Sequence, residues 1–182
     1  MLKGPVLHTS TIPPASRLLI RQGDVSDLAG VLRVCETHAS HWAHWNGSIP
    51  RELRLYEFFD RALRAQDEVF QFWVAENGQG SMLGWEMLSA GSGDPMNRRL
   101  AAEATTCLGQ QSSGLGRALV THAVRHAART PLQYVFARVP THDTLMVSVL
   151  EAVGYQEVGL IPEAIKPPAR PEQLEFVYVL EH

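Results

Sequence analysis

Cysteine is scarce in this chain. Cys35 and Cys107 are the only two, and neither sits in a pair at metal or redox spacing, so a disulfide framework and a cysteine-rich metal site are both excluded. Free thiols fit a reducing cytoplasm, which is the expected location. Basic runs are also missing. The longest cluster is Arg98-Arg99 and the formal net charge is −3, which argues against a nucleic-acid surface. No window approaches the ~20 apolar residues of a membrane span. The first residues, Met1 to Pro14, hold one charge and no long apolar run, so no signal peptide is expected. What the chain does have is 45% hydrophobic residues in a length of 182, enough for the core of one domain.

Residues 1–16, rich in Pro, Ser and Thr, read as a loose arm ahead of a single domain over 17–180. A first strand is expected over 17–22. Gly23-Asp24 breaks it, and Asp24 is placed to cap a helix in which Val25, Leu28, Leu32 and Cys35 recur at helical spacing. A second helix is expected over 51–65, after Pro50. Strands over 69–76 and 82–89 flank Asn77-Gly78 as in a hairpin, and a third follows over 100–108. The strongest helix spans 115–129. A strand over 133–139, a helix over 142–152 stopped by Gly154, and strands over 155–160 and 174–180 complete the order. The expected architecture is mixed α/β, with a mostly antiparallel twisted sheet of about seven strands and about four helices on its two faces.

The most informative segment is Gln111-Ser112-Ser113-Gly114-Leu115-Gly116-Arg117, between a strand and the strongest helix. Backbone N–H groups at such a junction lack helical partners, small residues let a phosphate approach them, and the helix dipole favours its charge. The dinucleotide fingerprint needs a third glycine where Leu119 stands. The P-loop needs Lys-Ser/Thr where Arg117-Ala118 follows Gly116.

The spacing does match Q/R-x-x-G-x-G/A, the pyrophosphate loop of GNAT acetyltransferases. Asp143-x-x-Met146-x-x-Val149-Leu150 through Gly154-Tyr155 resembles that family's N-x-x-A-x-x-L-Y-x-x-x-G-F segment. Glu157-Val158-Gly159 through Pro162 resembles the E-x-V-G-x-x-P ending of its phosphinothricin and amino-acid acetyltransferase branch. The resemblance runs from Arg17 to about Leu180. It implies the GNAT fold and direct transfer of an acetyl group from acetyl-CoA to a primary amine of a small molecule, with no acyl-enzyme and no metal. Acetyl-CoA and that amine are the implied partners, with neither nucleic acid nor membrane, and the protein as monomer or homodimer. A protein N-terminus or lysine is the rival acceptor, and a non-catalytic acyl-CoA-binding module the rival class.

By the same resemblance Gln111, Ser112, Ser113, Gly114, Leu115 and Gly116 hold the pyrophosphate. Ala104, Thr105 and Thr106 pair with pantetheine, and a backbone N–H of Thr106 or Cys107 meets the thioester oxyanion. Asp143 stands where the family has Asn, beside the cofactor. The usual general acid, a Tyr, is replaced by Leu150, and Tyr155 is expected to fill the core position of the family's Phe. Glu103 is the first candidate base for the acceptor amine, and Glu86 the second carboxylate facing the acceptor. Trp42 and Trp45 fall where the family walls its acceptor site. His38, His41 and His44 alternate with them, yet their spacing sets no ligand group on one helical face, so no metal is expected. His122, Arg125 and His126 read as the solvated face of the loop helix.

Overall fold

The computed structural model describes residues 17–37, 51–90, 101–110, 113–162 and 174–181. In chain order these form β1 (Leu19–Gln22), α1 (Leu28–Thr37), α2 (Arg51–Arg64), β2 (Phe70–Glu76), β3 (Met82–Ala90), β4 (Ala101–Leu108), α3 (Ser113–Ala127), β5 (Tyr134–Pro140), α4 (Thr144–Val153), β6 (Gln156–Pro162) and β7 (Leu174–Glu181). The seven strands make one sheet in the order β1-β2-β3-β4-β5-β7-β6. Every neighbouring pair is antiparallel except β4–β5. This is the GNAT-type mixed sheet with four α-helices that the element order implies.

Helices cover the sheet on both faces because the central strands are apolar on both. Leu28, Val31, Val34 and Cys35 of α1 and Phe59, Ala62 and Leu63 of α2 bury against Phe72, Val74, Trp85, Met87 and Cys107. Aromatic rings dominate there: Phe72 stacks on Trp85 at 5.2 Å, and Phe59 meets Trp85 edge-on at 5.2 Å. Such pairs add about 0.5–1.5 kcal/mol each beyond the area they bury. On the opposite face Leu115, Leu119 and Ala123 of α3 and Met146, Val149 and Leu150 of α4 cover Trp73, Leu88, Ala104, Leu108, Val135 and Ala137.

The helix ends follow their capping chemistry. Asp24 caps a 3-10 turn, Val25–Asp27, that leads into α1, and the Asp27 carboxylate in return accepts from the Asp24 N–H. α3 starts at Ser113, two residues earlier than its apolar period suggests, so Ser113 and Gly114 lie inside its first turn. Gly116 in that turn packs close. A Cβ there would sit 3.4 Å from side chains of both Leu108 and Val149, which ties α3 to β4 and α4. Gly154 ends α4 at φ 107, and its N–H reaches the Leu150 and Glu151 carbonyls. That left-handed turn directs the Tyr155 ring back into the core, where the residue is 3% exposed.

Candidate active site

Among the described strands, the sheet splits at its only parallel pair. β4 and β5 are in register at Ala101–Tyr134, Ala102–Val135 and Glu103–Phe136, and no further. Beyond that point β4 continues to Leu108 and β5 to Pro140 without pairing with each other. The edge of β4 that faces the gap is defined by its other neighbour. The Gly109 N–H bonds to the Leu83 carbonyl at 2.7 Å, and the antiparallel register runs unbroken from Gly84–Leu108 to Ala90–Ala102. Alternation then turns the peptide groups of Thr105 and Cys107 toward β3, and those of Ala104, Thr106 and Leu108 toward the gap. Of Thr106 and Cys107, the two oxyanion donors considered from the sequence, Thr106 is the one whose peptide group turns toward the gap. The Cys107 side chain is buried against α1, its sulfur 3.9 Å from the Val34 carbonyl, so it presents no thiol to the gap.

α3 begins just past the end of β4. Ser113 to Gly116 form its first turn, whose N–H groups point out of the helix end. Gly114 is exposed and is not among the residues at positive φ, so its contribution is access rather than an unusual backbone conformation. A groove of about 400 Å³ runs from Gly114 along the β1-side flank of α3, lined by Arg117, Thr121, His122, Arg125 and Ile20. Its cations add to the positive end of the helix dipole. Gln111, Ser112, Trp42, Trp45 and the histidines at 38, 41 and 44 lie outside the described residues. Among the described residues no group of His, Cys, Asp and Glu could hold a metal ion, and no helix is long and apolar enough to cross a membrane.

The two candidate carboxylates lie on opposite faces of the sheet. Glu103 is on the α1/α2 face at the last paired position before the split. It is 26% exposed and accepts a hydrogen bond from Arg138 Nε at 2.7 Å. Arg138 escaped the sequence reading because its partner lies on another strand. Their shared face could be found only once β4 and β5 were known to run parallel. Glu86 is not an acceptor-facing carboxylate at the surface: it is fully buried, on the α3/α4 face between Trp73 and Thr106. Neither of its oxygens has a hydrogen-bond partner. Burial pushes its acidity up to about 8, and the Thr106 hydroxyl, near but outside hydrogen-bonding geometry, pulls weakly the other way.

Asp143 spends its carboxylate on the N-terminus of α4, accepting from the Met146 N–H at 3.0 Å. Leu150 is sealed in the core. Tyr155 is buried as expected, but its hydroxyl has no partner, and burial followed by the nearby Glu86 charge raises it above its ordinary range. His122 and His126 are not simply solvated. Both pack edge-on against Trp73, at 5.3 and 5.2 Å, and His126 Nε2 lies 3.1 Å from the Glu68 carbonyl.

Parallel strands that part beside a helix N-terminus turn backbone peptide groups and the positive end of a helix dipole toward the same gap. A family model described as an acetyltransferase (GNAT) domain matches residues 17–156. The chain belongs to the GNAT acetyltransferase family. Solved structures agree on the fold. A candidate phosphinothricin N-acetyltransferase is 21% identical, with TM-score 0.73 over 91% of this chain and 98% of that one. The yncA protein of Salmonella typhimurium, solved with its cofactor acetyl-CoA, is 19% identical, with TM-score 0.71 over 90% and 93%. A ribosomal-protein-alanine N-acetyltransferase from Brucella melitensis is 18% identical, with TM-score 0.69 over 90% and 99%. A search of curated proteins returns no sequence match.

Proposed function

We propose that the protein is an acetyl-CoA-dependent N-acetyltransferase that acts in the cytoplasm on a primary amine of a small molecule, through one domain over 17–180. The observation that carries this reading is the split between β4 and β5, with the Ala104 and Thr106 peptides facing it and the α3 N-terminus at its mouth. An extended chain in the split can take up the peptide groups that Ala104 and Thr106 turn toward it, as an added strand would. A pyrophosphate at the mouth fits the N–H groups of Ser113, Gly114, Leu115 and Gly116. The Thr106 N–H is then the group that meets a developing oxyanion. Glu103, on the other face and held by Arg138, is the carboxylate to which an incoming ammonium would give its proton.

Thermal denaturation with and without nucleotides tests the donor. Acetyl-CoA should raise the melting temperature, since a ligand that binds only the folded state stabilises it, while NAD should have little effect. Equal stabilisation by NAD overturns the reading. An amine panel that includes amino acids, polyamines and an alanine-initiated peptide, with free thiol as the readout, then identifies the acceptor. Turnover on the peptide alone would exchange the small-molecule acceptor for a protein N-terminus.

A further inference from the structure

Two acids are buried among the described residues, Asp27 and Glu86. Asp27 is fully occupied, accepting from Arg21 at 2.7 and 2.8 Å and from the Asp24 N–H. Glu86 has no such partner, and an unpaired carboxyl in a packed core costs free energy that a glutamine or an aliphatic side chain would avoid. Its position is specific. Leu83–Gly109 is a hydrogen-bonded pair, so Glu86–Thr106 is the alternate, non-hydrogen-bonded kind, in which facing side chains approach most closely. The Glu86 carboxyl therefore packs against the side chain of the residue whose peptide group opens onto the β4–β5 gap. A second orphan, the Tyr155 hydroxyl, is turned toward the same core by Gly154 and senses the Glu86 charge.

We propose that Glu86 is a positioning residue: in its neutral form it orients Thr106 so that the Thr106 N–H can receive the negative charge that develops on the thioester oxygen. This rests on the acetyl-transfer reading above. An ionised Glu86 places a like charge behind that N–H and opposes the same charge development, so transfer is lost as Glu86 deprotonates. The groups that face or flank Glu86 do not titrate with it. Trp73 on β2 and Thr106 on β4 carry no titratable proton in range. Tyr155 is pushed above its ordinary range and stays protonated. α3 sets His122 and His126 against the Trp73 ring, and His122 is pushed below its usual value by burial and by nearby cations. α4 contributes the apolar Met146, Val149 and Leu150 to this core.

The test is the pH profile of kcat from 6 to about 10 for wild type, Glu86→Gln and Thr106→Val. It uses saturating acetyl-CoA and an acceptor of low basicity, such as an aromatic amine, whose own titration lies outside the range. Infrared difference spectra of the free protein run alongside to follow the buried protonated carboxyl. Wild-type kcat should fall about tenfold per pH unit above about 8, the behaviour of one essential proton. Glu86→Gln, neutral at every pH, should keep kcat within about threefold at pH 7 and lose the alkaline limb. Thr106→Val removes the hydroxyl that favours the Glu86 charge, so its limb should move to higher pH. The carboxyl band should vanish with the same midpoint in wild type and be absent from Glu86→Gln. Wild-type turnover with no limb near pH 8, coincident wild-type and Glu86→Gln profiles, or an unmoved Thr106→Val limb overturns this proposal alone. No thiol release by wild type with any amine overturns the transfer reading and this proposal with it.

Discussion

The two faces of the sheet bury apolar surface in different ways. Over β2, β3 and β4 the α1/α2 face is closed by Phe59, Phe72 and Trp85, whose rings lock one another by edge and stacking contacts. The α3/α4 face is closed mainly by aliphatic side chains of α3 and α4, with Trp73, Tyr155 and Tyr178 among them, and it holds the Glu86 carboxyl and the Tyr155 hydroxyl without hydrogen-bond partners. At the split between β4 and β5 the pattern reverses. The α1/α2 face is open there and carries the half-exposed Glu103–Arg138 pair. The carboxylate in reach of solvent is paired, and the sealed one is alone. Stability considered by itself would favour the opposite arrangement, since an exposed ion pair contributes little and an unpartnered buried carboxyl costs much. The difference marks Glu86 as a position where packing has been compromised for another purpose.

The largest effect that can test this division is on donor binding. If the donor lies on the α3/α4 side of the split, Gly114→Glu should weaken acetyl-CoA binding by more than about 100-fold, because it sets bulk and negative charge at the helix N-terminus where phosphates sit. Gly114→Ala should cost less than about tenfold, since the position is exposed and its φ is not positive. The tryptophan fluorescence of the Phe59–Phe72–Trp85 cluster should be unchanged in both. Calorimetric titration measures the affinities, and near wild-type binding by the Glu variant would remove the pyrophosphate from this site.

Stability against pH gives the next effect. The Glu86 carboxyl titrates at about 8 in the folded protein and at 4.5 ordinarily. Between those values the folded state holds a proton that the unfolded state has lost, so stability falls as pH rises through the window and levels off above it. Below 4.5 both states are protonated and the penalty is absent. Glu86→Gln has no such proton. Its stability relative to wild type should therefore grow from pH 4.5 to about 8, by an amount on the order of a few kcal/mol. Urea unfolding at several pH values reads the difference directly. A constant difference across the window would mean that Glu86 is ionised in the folded protein.

Most of this fold was legible in the sequence because each element carries its own period. α3 was found from its apolar spacing, and its true start at Ser113 was missed because Ser113 and Gly114 add nothing to that spacing. β4 was found despite its alanines. The split was invisible, being a failure of pairing between strands about 30 residues apart, which no local pattern records. Glu86 was misplaced for a related reason. A glutamate between Trp85 and Met87 looks like the solvent side of a half-buried strand, yet β3 is central and covered on both faces. Asp143 has a structural role that its family position does not announce. Read as a cofactor contact in the family's Asn position, it holds the N-terminus of α4, which any short acceptor side chain can do.

The smallest effect concerns the open end of the α1/α2 face. If the acceptor amine enters there, Glu103→Gln should lower kcat/KM about tenfold at pH 6 and less at pH 9, where more of the amine is already deprotonated. Its stability should change by less than about 1 kcal/mol, because the pair with Arg138 is largely in reach of water. Arg138→Met separates charge from position. It leaves the carboxylate on β4 but removes the guanidinium that fixes one of its oxygens, so a loss of about threefold, without the pH dependence, is expected if Arg138 only orients Glu103. A loss in Arg138→Met equal to that in Glu103→Gln would assign the acceptor's recognition to the ion pair as a unit. Unchanged kcat/KM in both variants, at both pH values, would take the acceptor off this face. The split would then serve the donor alone, and the contrast between the two faces would be one of packing rather than of chemistry.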